Sequence, residues 1–122
     1  MSWNFDEKSP IYIQIAQHIK MQIVSQEIKI GDQLPTVREY AEQAGVNPNT
    51  MQRAFSELER EGIVYSQRTA GRFVTEDQAL IDQKRRELSR SELESFVTNM
   101  VKMGFTVNQI LPELELYLKG DS

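Results

Sequence analysis

Ile11, Ile15, Ile19 and Ile23 recur every four residues, with Ala16 and Val24 beside them, and make one apolar stripe. That spacing predicts an amphipathic helix. Ser9 is its expected N-cap and Pro10 its first helical residue, and the helix should run to about Gln26. Residues 28–34 then form a short connection turned by Gly31-Asp32. Thr36-Val37-Arg38-Glu39 is a capping box, in which hydroxyl and carboxylate satisfy orphan amides reciprocally. It predicts a helix to about Ala44, ended by Gly45. Asn47-Pro48 repeats the start signal, and Met51, Ala54, Phe55 and Leu58 give the next helix an inner face as far as Gly62. Ile63-Val64-Tyr65 and Arg72-Phe73-Val74 are β-branched and aromatic, separated by the polar stretch Ser66 to Gly71, which predicts a β-hairpin.

Beyond the hairpin the pattern changes. Thr75 is positioned to cap a long helix from Glu76 to about Met103, with Leu80, Leu88, Phe96, Met100 and Met103 among its apolar positions. Gly104 breaks it. Thr106-Val107-Asn108-Gln109 is a second capping box, opening a helix through Ile110, Leu111, Leu114, Tyr117 and Leu118. Pro112 falls within its first two turns, where a bend is expected. Two short helices joined by a tight glycine-containing turn make a helix-turn-helix, and the hairpin after them makes a wing. The expected fold is therefore mainly α with a small β-hairpin wing. A winged helix-turn-helix domain occupies residues 1–75, and a two-helix tail occupies 76–122.

Composition narrows what such a chain can do. Its 122 residues contain no cysteine, which excludes disulfides, thiolate metal sites and cysteine nucleophiles. No run approaches the roughly 20 apolar residues that span a bilayer, and Met1 to Lys8 lacks the apolar core of a secretory signal. A cytoplasmic location is expected. His18 is the one histidine and lies near the isoleucine stripe, where a structural role outweighs a catalytic one. With no glycine-rich phosphate loop, paired histidines or nucleophile motif, an enzyme is not expected, nor any cofactor or metal.

Charge complicates the picture. The net charge is −4 and the isoelectric point about 5.0, whereas nucleic-acid binders are usually basic. Residues 1–75 hold eight Lys/Arg against nine Asp/Glu, and residues 76–122 hold six against nine, so the excess sits mainly in the tail. Placement then matters more than the total. A recognition helix meets the DNA major groove with the residues of its N-terminal half. Here those residues are Asn47, Asn49, Thr50, Gln52, Arg53 and Ser56, which carry the amide and guanidinium groups that pair with adenine and guanine. Glu57, Glu59 and Glu61 come only at the far end. The hairpin offers Arg68 and Arg72 with no acid between them, and Gly71 lets backbone approach a groove closely.

The ordered set Pro10-Ile11-Tyr12 with Gln14-Ile15, then Gly31-Asp32-Gln33-Leu34-Pro35-Thr36-Val37-Arg38, resembles the GntR family of bacterial transcription regulators. The resemblance continues through Ala41, Gly45-Val46-Asn47-Pro48-Asn49-Thr50, Arg53-Ala54, Leu58-Glu59-Arg60-Glu61-Gly62 and Gly71-Arg72-Phe73-Val74. It implies a transcriptional regulator, a repressor in the commoner case, that binds a palindromic double-stranded operator as a homodimer. It further implies base or phosphate contact by Arg38, contacts from Asn47, Asn49, Thr50 and Arg53, and entry of Gly71 into the minor groove. With Thr36 from the same motif, and with Gln52, Arg68 and Arg72 from the residue reading, these are the candidate DNA-binding residues. The family wing often reads Arg-Gly-x-Gly, and Arg68-Thr69-Ala70-Gly71 lacks the first glycine.

About 45 residues remain for the tail, too few for the family's usual effector domain. That length resembles the YtrA subfamily, whose short tail serves chiefly dimerisation; an effector is then unidentified, and the tail need not bind one. A winged helix used for protein contacts without DNA is the alternative that the acidic charge keeps open. Three smaller features are read as structural. Trp3 and Phe5 are taken as core anchors rather than an aromatic site, and Lys84-Arg85-Arg86 as a solvated face rather than a contact to DNA backbone. Met100 and Met103 are taken as dimer core, with a cavity between tails the other reading.

Overall fold

The computed structural model describes residues 3–120 and divides into two compact units at Arg85–Arg86. In the first unit lie α1 (Ile11–Val24), α2 (Val37–Ala44), α3 (Pro48–Arg60), β1 (Val64–Gln67) and β2 (Gly71–Val74), followed by the opening turns of α4 (Gln78–Lys102). The remainder of α4 and α5 (Val107–Leu118) form the second.

The isoleucine stripe does what its period requires. Ile15, Ile19 and Ile23 of α1 are buried, and α1 packs on α3, whose Met51, Ala54, Phe55 and Leu58 have no exposed surface. α2 packs on the same helix through Tyr40 and Ala41, and the Tyr40 ring meets Phe55 edge-on at 5.6 Å. Ile63, Val64, Val74 and Ile81 complete this core.

Local capping chemistry holds the helix-turn-helix as expected. The Thr36 hydroxyl accepts the Glu39 N–H at 3.1 Å, and the Glu39 carboxylate accepts the Thr36 N–H at 3.0 Å. Those bonds to Thr36 hold the Glu39 carboxyl below its ordinary range. Gly45 ends α2 in the left-handed region at φ +70°, and Pro48 opens α3 behind an Asn47 cap.

Three boundaries differ from expectation. α1 begins at Ile11 with Pro10 as its N-cap, so Ser9 does not cap it. The entry is instead tied by Gln14, whose side-chain amide donates to the Asp6 and Ser9 carbonyls and accepts the Asp6 N–H. The same helix ends at Val24, two residues early, because Gln26 turns into the left-handed region at φ +68°. α4 starts at Gln78 rather than Glu76. Thr75 continues the hairpin, its N–H donating to the Ile63 carbonyl at 2.8 Å and its hydroxyl accepting the Asp77 N–H at 3.1 Å, while Asp77 accepts the Leu80 N–H and caps the helix.

The hairpin is longer than its apolar triplets suggested, pairing Val64 with Val74 through Gln67 with Gly71. Residues 31–34, read from sequence as a plain connection, run along its other edge. The Gly31 N–H donates to Val74 O, the Val74 N–H to Asp32 O and the Leu34 N–H to Arg72 O, at 2.9–3.0 Å. β2 is thereby hydrogen-bonded on both sides, which fixes the wing to the helix-turn-helix.

Lys84 and Arg85 are not a solvated face. Lys84 and Lys20 both reach the Glu61 carboxylate, at 3.1 and 2.8 Å, while Arg85 donates twice to the Val24 carbonyl at the end of α1. Arg86 is exposed.

In the second unit, Gly104 breaks the chain at φ +103° and the Gln109 side chain accepts the Thr106 N–H at 2.9 Å, opening α5. Ile110 is buried there, and Phe96, Met100, Phe105 and Leu114 are half-buried. Met103 is 71 % exposed, and Leu93, Val97, Val101, Val107, Leu111 and Leu118 are exposed as well.

Burial alone would raise the Glu61 carboxyl, but the hydrogen bonds and charges of Lys20 and Lys84 outweigh it and hold the group below its ordinary 4.5. A carboxyl depressed by folding contributes stability that is full above the unfolded value and is lost as pH falls through the folded one. Glu61→Gln is therefore expected to cost about 1–3 kcal/mol at pH 7 and much less below pH 4. Urea unfolding at the two pH values measures it, and equal losses at both would contradict the assignment.

Candidate nucleic-acid interface

Recognition helix α3 is positioned by what it buries. With Met51, Ala54, Phe55 and Leu58 turned inward, Asn49, Gln52, Arg53 and Ser56 are left exposed at helical spacing i, i+3, i+4 and i+7, which is one continuous face. Thr50 is half-buried at its side. Asn47 spends its side-chain oxygen on the Asn49 N–H at 2.7 Å, so its amide N–H groups are what it offers a ligand. Gln52 reaches toward Ser56 and Arg72 at 3.5 Å each, the long limit of a hydrogen bond. Arg53 lies over the Tyr12 ring with its guanidinium 4.0 Å from the centroid, which orients it while leaving its charge intact.

Beside this face lies a cleft of about 490 Å³ between the start of α2, the middle of α3 and the wing. It brings together five of the ten residues that the sequence nominated: Thr36, Arg38, Gln52, Gly71 and Arg72. Asn47, Asn49, Thr50 and Arg53 lie outside the cleft on the first turns of α3, and Arg68 sits in the turn of the hairpin. Arg38 and Arg68 are exposed and form no salt bridge among the described residues.

Glu57, Glu59 and Glu61 still put acid on the helix that carries the candidate DNA-facing surface, and tertiary contacts offset it. Each of the three carboxylates has a basic partner. Arg60 pairs with Glu57 and holds its carboxyl below the usual range, Arg72 donates to Glu59 at 2.6 Å, and Lys20 and Lys84 share Glu61. Their charges are thus spent inside the domain, while the free cations stand at the cleft and the wing. In this arrangement Arg72 is not the unpartnered wing cation that its sequence position suggested. Besides Glu59 it lies over the Phe55 ring at 5.1 Å, and it ties the wing to α3.

Gln33, Tyr12 and Glu59 are site residues that the sequence reading did not nominate. Gln33 donates from Nε2 to the Ala70 carbonyl at 2.5 Å, pinning the wing at its turn, and Glu59 also accepts from Ser66 Oγ. Tyr12, Gln33 and Glu59 all stand inside the motif runs already noted, which is the signal that could have found them. Gly71 adopts φ +109°, which favours glycine, and a Cβ there would lie 3.0 Å from Gln33 Nε2, so the Gln33 amide would have to give way to any larger residue.

Residues 11–74 match the model of the bacterial regulatory proteins of the gntR family. The chain belongs to the GntR family. Its similarity to the HTH-type transcriptional regulator YhcF of Bacillus subtilis strain 168 is 42 % identity over 98 % of this chain and 99 % of that protein. To the HTH-type transcriptional repressor YtrA of the same organism it is 45 % identical over 69 residues, covering 57 % of this chain and 53 % of that one. A GntR family transcriptional regulator from Listeria monocytogenes superposes with a TM-score of 0.83 at 38 % identity, over 91 % of this chain and 97 % of that one.

This GntR protein is thus a winged-helix DNA-binding transcriptional regulator and not an enzyme. The YhcF match runs through the tail, so the short C-terminal unit is common to both chains. Among the described residues no helix is long and apolar enough to cross a membrane.

Gly71→Ala is expected to strain the wing by about 1–3 kcal/mol without unfolding the helices. Amide exchange localises the effect: faster exchange confined to residues 31–34 and 64–74 is the expected result, and a uniform change or none would count against it.

Proposed function

We propose that this regulator is a repressor that binds a palindromic operator as a homodimer, with α3 in the major groove of each half-site and the wing in the adjoining minor groove. In this reading Asn49, Thr50, Gln52 and Arg53 meet base edges. Thr36, Arg38, Asn47, Arg68 and the backbone at Gly71 meet sugar and phosphate, and Arg72 braces the wing. The observation that carries it is the single polar face of α3 flanked by the free guanidiniums of Arg38 and Arg68, with every acid of the helix's far end internally neutralised. A role as repressor accords with the name of the YtrA relative. A chromosomal operator places the protein in the cytoplasm.

Dimerisation is assigned to the tail, residues 76–122, and DNA binding to residues 1–75. Leu93, Val97 and Val101 are spaced by four along α4, and Val107, Leu111 and Leu118 lie along α5, all exposed in one chain. A second copy covering them removes apolar surface from water at about 1.5–3 kcal/mol per fully buried side chain, enough for six such residues on each chain to offset the freedom lost on association. Two-fold pairing also gives one small helix two half-sites to read. No effector is assigned to the tail.

Selection of duplexes from a random pool tests the reading. The expected result is a palindrome whose half-sites lie about one helical turn apart; recovery of unrelated sequences would overturn it. On the selected duplex, Arg38→Ala and Arg53→Ala are each expected to weaken binding about 5- to 150-fold with the fold intact. Unchanged affinity with both replaced would remove the contact assignment. Deleting residues 104–122 is expected to yield monomers in sedimentation, and a truncated chain that still sediments as a dimer would contradict the tail's role.

A further inference from the structure

The first unit carries a second cleft, of about 600 Å³, walled by Trp3, Tyr40, Glu27 and Asp32, with the amide-bearing Gln33 and Gln43 among its remaining lining residues. Trp3 and Tyr40 stand nearly at right angles, centroids 5.9 Å apart, and form two aromatic walls. The cleft's size is within the range of small-molecule sites. Among the described residues no lysine, arginine or histidine lines it, His18 standing against the Trp3 ring at 4.2 Å without entering the lining, and Glu27 and Asp32 are the charged groups there. Glu27 forms no salt bridge among the described residues. Asp32 gives one oxygen to the Lys29 N–H at 2.9 Å, a bond that leaves its charge in place. Lys29 is among the residues lining a separate hollow with Ile23, Gln26 and Ile30 and is not among those lining this cleft. The Tyr40 phenol is pushed up by burial and then by the Glu27 carboxylate, so that charge is felt at the aromatic wall.

Aromatic faces and uncompensated carboxylates attract the same kind of ligand, a cation whose charge is spread over apolar surface. They disfavour DNA. We propose that this cleft is a binding site for an alkylated ammonium ion, held between the Trp3 and Tyr40 rings with its charge toward Glu27 and Asp32. Gln33 is a wall common to this cleft and to the DNA-facing one, and it holds the Ala70 carbonyl of the wing. An occupant therefore touches the side chain that pins the wing, which gives a regulator with so short a tail a ligand site inside its DNA-binding unit.

Trp3 is the single tryptophan of the chain and lines this cleft, so the chain's tryptophan fluorescence comes from the cleft wall. Titration of the full chain needs no DNA, and its outcome is independent of the operator reading. Choline is the probe, 3,3-dimethylbutan-1-ol its uncharged isostere, and potassium and calcium chloride the ionic controls. A saturable change in Trp3 emission with choline in the millimolar range or below is expected, with affinity about tenfold above that of the alcohol and no matching response to either salt. Glu27→Gln, at an exposed position, is expected to lower choline affinity about tenfold while leaving thermal unfolding unchanged. No saturable response, equal affinity for the alcohol, the same response from calcium, or unchanged affinity in Glu27→Gln would each overturn the proposal.

Discussion

The Phe55 ring is where this molecule is decided. It has no exposed surface, meets Tyr40 of α2 edge-on, and supports the Arg72 guanidinium of the wing. An aromatic side chain buried to that extent dominates its local packing. Because Phe55 and its neighbours Met51, Ala54 and Leu58 must face α1 and α2, the rotation of α3 about its axis is fixed, and so is the set of side chains it presents outward. Core and recognition surface are two sides of one helical register. A shift of one residue toward the N-terminus would bury Thr50, Arg53 and Glu57 and expose Met51, Phe55 and Leu58.

Charge then follows from packing. The three carboxylates at the end of α3 are each close to a base because α1, β2 and α4 converge there: Glu61 meets Lys20 and Lys84, Glu59 meets Arg72, and Glu57 meets Arg60 in its own helix. Such pairs contribute modestly to stability, but they cancel acid close to a surface that must approach phosphate. An acidic protein can thus present a DNA-binding face, since the groove senses local potential rather than the molecule's total charge.

Features whose chemistry is local were legible in the sequence. The Thr36–Glu39 box, the Asn47-Pro48 start and the Gly45 stop each act within four residues, and the structure holds them where the pattern put them. Features set by distant partners were not. Residues 31–34 become a third wing segment only because β2 lies beside them some forty positions on. Thr75 is drawn into the hairpin by the Ile63 carbonyl so that the helix opens later, behind Asp77, and Lys84 and Arg85 are captured by Glu61 and Val24. The same holds at the candidate interface. The outward face of α3 could be read from its period, whereas the bracing of Arg72 by Glu59, of Arg53 by Tyr12 and of the wing by Gln33 depends on tertiary approach.

The account's central claim is that a chain of net charge −4 engages DNA through a locally basic face. The salt dependence of its affinity for the selected operator tests this most directly. Each phosphate neutralised by a lysine or arginine contributes about −0.9 to the slope of log K against log salt. Several such contacts from two copies predict a slope steeper than about −3, shallower in the Arg38→Ala variant. A slope near zero, with binding intact, would contradict it.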